Sequence, residues 1–389
     1  MTRPQSAPQT TRIIGLFPEL LGVGGVQEAG RLTAAALSAI ALRRGWSTDF
    51  LSLNDPTGTQ VLEVSERKVS FRGFGRAKVR FMLSAISRAR RSVRRQNIIA
   101  LAAHPNLAFP AAWMQRVAPD LNILVMSHGV EVWKPLPLPR RGALLRANLV
   151  LAPSSDTAQK LTGVQGIPAA NIRVLPWPVN PSFLQMAAAA RSLAVPHGFP
   201  KGRVILTVGR WAASERYKGA DELIHAIARL RADVPGLHLV VVGGGDDLPR
   251  LRRIAADLGV VDSVHFLENL SREEVAACYE HAELFALPST GEGFGLVFLE
   301  AMVFAKPAIG AACGGTTDVV EDGVNGLLVP PHDAERLAQS LALLLRDESL
   351  RAQLGGRGAQ MVRQKYQFDL FQDALEQILT SCCTESDEV

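Results

Sequence analysis

Short apolar runs alternate with longer segments of helical pattern along the whole chain. In the first half, the runs occupy residues 13–17, 46–53, 98–103, 121–126 and 149–152. In the second half, they occupy residues 204–208, 237–242, 264–267, 284–287 and 307–310. Because buried strands joined by helices form parallel sheets, this pattern predicts an α/β protein built from two βαβ series.

A proline-rich stretch separates the two series. Three of the six residues from 176 to 181 are proline, a composition that suits an interdomain linker. A chain of 389 residues is long enough for about two domains, each with its own core. We therefore expect one domain on each side of this linker.

Two glycine-rich loops follow predicted strands and precede helices. The first contains Gly24 and Gly25, but it has Gln27 where the dinucleotide-binding fingerprint requires glycine. The second lies in the segment 289–300, Ser-Thr-Gly-Glu-Gly-Phe-Gly-Leu-Val-Phe-Leu-Glu. Glycines let the backbone approach a ligand, and free N–H groups at the start of a helix favour an anion. The alternative for the second loop is an ordinary turn between strand and helix with solvated glutamates.

Cations and histidines follow other predicted strands. Arg210 comes after the first strand of the second series, and Lys218 precedes the helix that follows it. In the first series, His104 and His128 each stand at or just beyond the end of a strand. The carboxyl ends of parallel strands form the ligand-binding edge of a sheet. A single histidine there more often has only a structural role, so His128 needs support from other residues.

Positive charge is concentrated in the first half of the chain. The net charge is +5, but residues 1–180 carry 23 Lys or Arg against 9 Asp or Glu. Residues 181–389 carry 19 against 28. This asymmetry indicates a polyanion or an anionic membrane surface as a partner of the first half.

The segment 67–95 holds eleven of these basic residues and predicts an amphipathic helix preceded by a loop. The apolar positions at helical spacing are Val79, Met82, Leu83, Ile86, Ala89 and Val93. Phe71 and Phe74 are expected in the loop, where they and the cationic face would bind anionic lipid. One alternative is that the apolar side packs on the sheet while the arginines are solvated. Nucleic acid is not expected as a partner, because no recognised motif accompanies the charge.

The sequence favours a cytoplasmic protein. No uninterrupted apolar run reaches the roughly 18 residues that a membrane span needs, and the polar amino terminus makes a poor signal peptide. The four cysteines show no metal-ligand spacing and suit a reducing compartment. Because the basic segment would bind anionic lipid, we further expect the protein to attach peripherally to the inner face of the cell membrane.

The motifs of the second half resemble those of a known family. They are Gly209-Arg210, Tyr217-Lys218-Gly219-Ala220-Asp221, Glu292-Gly-Phe-Gly with Glu300 eight residues on, and the segment 314–329. With them, the chain is similar to the retaining GT-B glycosyltransferases of glycosyltransferase family 4, also called group 1. The resemblance implies two Rossmann-like domains that face a central cleft. The implied boundaries are 1–178 for an acceptor-binding domain, 179–368 for a nucleotide-sugar-binding domain, and 369–389 for a helix that crosses back to the first domain and a tail.

The resemblance also implies a role for each candidate residue. The implied catalytic group is Arg210, Lys218, Glu292 and His128. The implied donor-binding group is Gly24, Gly25, Gly209, Gly295, Leu296 and Glu300. The cations and backbone N–H groups would stabilise the diphosphate, Glu300 would hold the ribose, and Glu292 and His128 would contact the sugar. Because the chain has no Asp-x-Asp motif, neither a metal nor a cofactor is expected.

The implied reaction moves a sugar from a nucleoside-diphosphate sugar to an acceptor with retention of configuration. Attack on the face of the leaving group needs no side-chain nucleophile. A lipid-linked acceptor, or a polysaccharide or glycolipid precursor, fits the basic segment, and a soluble small molecule is the alternative. A nicotinamide-dependent oxidoreductase is disfavoured by Gln27, and a catalytically silent binding module by the retained charged residues.

The spacing of the two cations departs from the commonest pattern of the family. Seven residues separate Arg210 from Lys218, so the loop must bulge for both side chains to converge. The amino-terminal loop ends in Gln27, where the contact with the donor varies among members of the family, so the base and the sugar of the donor stay open.

Overall fold

The structure, a computed structural model, describes residues 10–64, 67–92, 96–189 and 192–384. The chain divides into two compact units. The first combines residues up to 178 with the segment from residue 368, and the second comprises residues 179–367. Each unit contains a largely parallel sheet covered by helices, which confirms the predicted α/β class.

The sheet of the first unit has eight strands within the described residues. They are β1 (Thr10–Phe17), β2 (Ser47–Ser52), β3 (Gly58–Val64), β4 (Arg67–Gly73), β5 (Gln96–Ala102), β6 (Asn122–Met126), β7 (Leu149–Ala152) and β8 (Ile172–Val174). Their order is β3-β4-β2-β1-β5-β6-β7-β8, and neighbours are parallel except β3 and β4. The central strands are almost wholly apolar because helices cover both faces of the sheet.

Five helices connect these strands in the described part of the first unit. They are α1 (Gly25–Arg44), α2 (Lys78–Ser92), α3 (Ala108–Val117), α4 (Leu138–Leu144) and α5 (Ser155–Lys160). Gly45 ends α1 in the left-handed conformation that glycine adopts most easily, with φ 66°. Ser154 caps α5, because its hydroxyl accepts a hydrogen bond from the N–H of Thr157 at 3.1 Å.

The basic segment differs from its prediction in two ways. Phe71 lies in β4 and not in a loop, and both it and Phe74 are buried. The core side of α2 begins with Phe81, whereas Val79 and Leu83 face outward. Phe81 continues at four-residue spacing into two buried alanines, and this stripe of small residues lets the helix approach the sheet closely. The predicted position Val93 lies outside the described residues.

The sheet of the second unit has six strands within the described residues. They are β9 (Arg203–Val208), β10 (Leu237–Val242), β11 (Val264–Leu267), β12 (Leu284–Leu287), β13 (Ala308–Ala311) and β14 (Gly326–Val329). All neighbouring pairs are parallel, in the order β11-β10-β9-β12-β13-β14. The chain therefore builds outward from β9 in one direction and then outward from β12 in the other.

The helices of the second unit come in chain order between and after its strands. They are α6 (Pro181–Ala189), α7 (Ala220–Leu230), α8 (Leu248–Asp257), α9 (Arg272–His281), α10 (Leu296–Val303), α11 (Thr316–Val319), α12 (Ala334–Arg346) and α13 (Glu348–Lys365). A capping box at the start of α9 joins Ser271 and Glu274.

The last helix, α14 (Phe368–Thr384), packs against α1 of the first unit. Arg43 pairs with Asp373 at 3.1 Å and also with Glu376. The carboxyl end of α14 is fixed by the Asn122 amide, which donates to the carbonyl oxygen of Cys382 at 2.9 Å. Among the described helices, none has both the length and the apolar character needed to cross a lipid bilayer.

Candidate active site

The second sheet has a switch point between β9 and β12, where the order of its strands reverses. In open parallel sheets, ligands bind at the carboxyl ends of the strands beside such a point. The loop after β9 carries Gly209, Arg210 and Lys218, and the loop after β12 carries Glu292. The candidate residues of the second unit therefore stand where the topology favours a ligand.

The long loop from Arg210 to Lys218 folds into a short helical turn, Ala213–Lys218. Within it, Glu215 pairs with both cations, since its carboxylate contacts the guanidinium of Arg210 and lies 3.3 Å from Nζ of Lys218. Arg210 is exposed, whereas the side chain of Lys218 is only 17% exposed. The bulge expected from the sequence is this turn, and Glu215 is the residue that brings the cations together.

Contacts with the neighbouring glycine loop hold the turn in place. The buried Trp211 donates from Nε1 to the carbonyl oxygen of Val242 at 3.0 Å. The N–H of Ala213 donates to Asp246 at 2.8 Å, and Arg216 pairs with Asp247 at 3.1 Å. The positions of the two cations are therefore set by the loop that follows β10 as well as by their own loop.

The loop of Glu292 packs directly on this turn. The N–H of Thr290 donates to the carbonyl oxygen of Tyr217 at 2.8 Å. The ring of Tyr217 covers Gly291 so closely that a Cβ there would lie 2.4 Å from its Cδ2 atom. On the other side, the carbonyl oxygen of Glu292 accepts from the N–H of Gly315 at 2.8 Å. The glycines at 291 and 315 are therefore required by close packing.

Burial and neighbouring charges shift the ionisation of Lys218 and Glu292. Burial lowers the pKa of Lys218, and the charge of Arg210 lowers it further, while Glu292 raises it. Burial raises the pKa of Glu292, against the effects of Lys218 and of the N–H groups of Phe294 and Gly293. Perturbed cations and carboxylates that adjoin at a sheet switch point are typical of a functional site.

Glu300 lies on α10, which starts immediately after Gly295. Gly295 has φ 95°, a conformation that glycine adopts without strain, and the first turn of α10 begins at Leu296. The Glu300 carboxylate accepts a hydrogen bond from the hydroxyl of Tyr279 at 2.9 Å. Tyr279 is fully buried, and burial raises its pKa well above the usual value. This buried tyrosine fixes the orientation of Glu300, and the sequence motif gave no signal for it.

The glycine loop of the first unit precedes α1, at the end of the central strand β1. Gly24 stands at the helix start with φ 141°. Arg31 holds the loop from within α1, because its Nη1 atom donates to the carbonyl oxygens of Leu20 and Gly22 at 3.0 and 2.7 Å. Gly25 is the first residue of the helix, whose first-turn N–H groups have no acceptor within the helix itself.

His128 lies in a stack of rings in the first unit. Its ring is parallel to that of Trp177, with centroids 5.4 Å apart, and stacks on His104 at 5.6 Å. Its Nε2 lies 2.8 Å from the carbonyl oxygen of Ala103, which can only accept, so Nε2 carries a proton. In the neutral ring, Nδ1 is then a hydrogen-bond acceptor. The backbone N–H of His128 donates to the carboxylate of Glu131 at 2.6 Å.

His104 next to it is a neutral group at pH 7. Burial, with the charge of His128, lowers the pKa of His104 to about 4. Its Nδ1 atom accepts from the N–H of Asn106 at 3.1 Å. The ring stack and these hydrogen bonds restrict the rotation of His128, so the structural role and the ligand-binding role of this histidine are compatible.

The structure thus brings Arg210, Lys218 and Glu292 together, with Glu300 on the helix that follows. Gly209 lies beside the aliphatic part of Lys218, where a Cβ would be 3.6 Å from its Cδ atom. Two cations at the start of a helix can bind and stabilise a diphosphate. Among the described residues, no group of three or more His, Cys, Asp or Glu is placed to hold a metal ion.

Comparison with known proteins identifies the family. The model for glycosyl transferases group 1 matches residues 193–361, and the model for glycosyltransferase family 4 matches residues 23–183. A GDP-mannose-dependent α-(1-6)-phosphatidylinositol monomannoside mannosyltransferase of Mycobacterium tuberculosis is 32% identical over 268 residues, which cover 65% of this chain and 68% of that protein. The chain belongs to glycosyltransferase family 4.

This family 4 protein is therefore a glycosyltransferase that uses a nucleotide sugar. A D-inositol 3-phosphate glycosyltransferase of Acidothermus cellulolyticus is 34% identical over 252 residues, which cover 60% of this chain but 54% of that enzyme. The solved structure of sucrose-phosphate synthase from Thermosynechococcus elongatus superposes with a TM-score of 0.77 at 23% identity, covering 97% and 100% of the two chains. These matches confirm the GT-B fold and exclude the oxidoreductase alternative.

Proposed function

We propose that this glycosyltransferase transfers the sugar of a nucleoside-diphosphate sugar with retention of configuration and without a metal ion. The acceptor we propose is a lipid-linked or glycolipid precursor at the cytoplasmic face of the membrane. The observation that carries the donor assignment is the convergence of Arg210 and the mostly buried Lys218 beside Glu292. Their two positive charges can stabilise the diphosphate that leaves when the bond to the sugar breaks.

The chemistry of this arrangement favours an electrostatic mechanism. A diphosphate gains negative charge in the transition state, and fixed cations in a partly water-excluded site stabilise that charge without reorganisation. The buried hydrogen bond from Tyr279 keeps Glu300 in place for the ribose hydroxyl groups. Glu292 stands next to Lys218 and is assigned to the sugar. The roles of Gly24, Gly25 and His128 stay those that the family resemblance implies.

The donor to test first is GDP-mannose, because the Mycobacterium tuberculosis relative depends on it. Thermal unfolding with GDP, UDP, ADP and their sugars would identify the base, since a ligand of the native state raises the melting temperature. The anomeric configuration of the glycoside product, read by NMR, tests retention. Transfer that survives EDTA supports the metal-independent reaction. An inverted product or an absolute need for Mg²⁺ or Mn²⁺ would contradict the proposal.

The outward face of α2 supports the membrane part of the proposal. Val79 is 65% and Leu83 is 59% exposed, and these two residues lie one turn apart. Exposed basic residues surround them, namely Arg76, Lys78, Arg80, Arg90 and Arg91. Peripheral proteins usually bind an anionic bilayer in this way. Their apolar side chains enter the interfacial region, and each basic residue near the surface adds about 1 kcal/mol of binding free energy.

Helix α3 packs beside α2 and carries exposed aromatic residues of its own. Phe109 and Trp113 are 39% and 38% exposed, and the guanidinium of Arg116 lies 4.0 Å from the centroid of the Trp113 ring. Tryptophan with a neighbouring cation suits the headgroup region, because the ring is apolar and its N–H remains hydrated. The aromatic contribution thus comes from α3, whereas Phe71 and Phe74 are buried in the core.

Flotation with vesicles tests the surface. We expect the protein to float with phosphatidylglycerol-containing vesicles at low salt, and less with pure phosphatidylcholine or at high salt. A Val79→Ser, Leu83→Ser variant should float less. Leu343→Ser is the matched control, since Leu343 is exposed in the second unit. If the native protein does not float at low salt, the membrane assignment is wrong.

A soluble acceptor is the second candidate, and the inositol 3-phosphate relative favours it. Inositol 3-phosphate and a phosphatidylinositol glycolipid offered with the same donor would distinguish the two. Transfer to the soluble compound alone would support this candidate over the lipid-linked one.

A further inference from the structure

The bulged loop between the two cations contains an acid whose position is unusual for a site that binds a diphosphate. Glu215 is the fifth residue after Arg210 and the third before Lys218. Its side chain is 12% exposed and contacts both cations, one through each carboxylate oxygen. An acid there either competes with the diphosphate for the cations or holds the cations ready for it.

We propose that Glu215 is a positioning residue that fixes Arg210 and Lys218 at one point for the diphosphate of the donor. This inference rests on the proposed donor site. Arg210 is on an exposed part of the loop, with a side chain 68% exposed, and it would otherwise sample several rotamers. A long side chain that is already held in place loses less conformational entropy when the ligand binds.

The backbone around Glu215 is itself fixed, which a positioning role requires. The N–H of Glu215 donates to the carbonyl oxygen of Ala212 at 2.8 Å. Next to it, Arg216 pairs with Asp247, and the carbonyl oxygen of Tyr217 accepts from Thr290. Contacts on both sides therefore restrain the carboxylate, unlike that of an acid on a mobile surface loop.

The charge of Glu215 also favours the protonated form of Lys218. Burial and Arg210 lower the pKa of Lys218, and the charged groups that face its ammonium are Arg210, Glu215 and Glu292. A carboxylate 3.3 Å away stabilises the ammonium. Without Glu215, Lys218 loses one of its two neighbouring negative charges and deprotonates at lower pH.

Binding of GDP, UDP and ADP, measured by calorimetry, tests this role. For the nucleotide that binds, we expect Glu215→Gln to weaken the affinity about tenfold. A merely local change in the loop would not alter the pH dependence. In the native protein, affinity should decline at alkaline pH as Lys218 loses its proton, and in Glu215→Gln the same decline should begin at lower pH. Glu215→Asp keeps the negative charge, so the decline in affinity should shift part of the way back to the pH at which it begins in the native protein.

Two comparisons separate the possible results. In a Lys218→Met background, removal of the Glu215 charge should have less effect than in the native protein, because the two residues act together. Glu335→Gln is the control, since Glu335 is an exposed acid on α12. It should bind the nucleotide as the native protein does.

Four outcomes would overturn one or both assignments. Tighter binding by Glu215→Gln would show that the acid competes with the diphosphate. Unchanged affinity and pH dependence in Glu215→Gln, with weakened binding in Lys218→Met, would reject the role of Glu215 alone. If Lys218→Met binds as the native protein does, or if the native protein binds none of GDP, UDP and ADP, the proposed donor site fails and the role of Glu215 fails with it.

Discussion

Replacement of Lys218 by methionine tests the electrostatic part of the proposed mechanism most directly. Methionine keeps much of the length of the side chain but removes its positive charge. Because Lys218 is mostly buried, the variant also removes the energetic cost of burying an ammonium group. We therefore expect the variant to fold while its turnover collapses.

The size of the loss follows from the surroundings of Lys218. Two unit charges about 4 Å apart interact by about 4 kcal/mol at the effective dielectric constant of a partly buried site. Arg210 remains in the variant and can take over part of the interaction with the diphosphate. A net loss of about 3 kcal/mol remains, which corresponds to a decrease in kcat of roughly 100-fold.

Release of nucleoside diphosphate from the identified donor, followed in a coupled assay, measures this loss. Lys306→Met is a matched control. Lys306 is also mostly buried with a lowered pKa, and its Nζ donates to the carbonyl oxygen of Glu280 at 2.6 Å. It precedes β13 and so lies at the edge of the sheet opposite the candidate site. A kcat within threefold of the native value in Lys218→Met, or equal losses in both variants, would refute the reasoning.

Four further predictions concern residues that support the site or the fold around it. Tyr279→Phe removes the hydrogen bond to Glu300, and we expect it to destabilise the fold by about 1.5 to 3 kcal/mol and to raise the KM for the donor, as chemical denaturation and kinetics would show. Gly315→Ala should lower both stability and activity, because its Cβ would lie 2.1 Å from a backbone carbonyl oxygen. By contrast, Gly356→Ala within α13 should be stabilising by about 0.5 to 1 kcal/mol in thermal unfolding. The depressed pKa of His104, about 4, predicts that its contribution to stability is present above pH 6.5 and is lost as the pH falls toward 4, and that His104→Asn weakens this dependence in acid denaturation.

The sequence predicted the first five strands of the second unit closely. All five runs assigned to its first strands lie within one residue of β9 to β13. Parallel strands buried on both faces are continuously apolar, so their positions are visible without any tertiary information. The antiparallel pair β3 and β4 was not predicted, because the alternating polar positions and dense charge of these strands resemble an exposed loop.

The motif residues were likewise predictable, but their supporting groups were not. Glycines, cations and acids at fixed spacing identified Arg210, Lys218, Glu292 and Glu300 together with the family. Nothing in that spacing indicated that Tyr279 would orient Glu300, since these two residues are 21 positions apart and lie on different helices. The placement of the two domains across a cleft stays an expectation of the family resemblance.

By itself, the sequence determined the fold class, the family and the chemical identity of the candidate site. These depend on local pattern, on burial and on spacing along the chain, which the order of residues records directly. Only the tertiary structure decided that Val79 and Leu83 face outward while Phe71 and Phe74 are buried, and that Glu215 joins the two cations. Such contacts depend on which surfaces of separate elements meet and how closely they pack, and no local pattern along the chain encodes that.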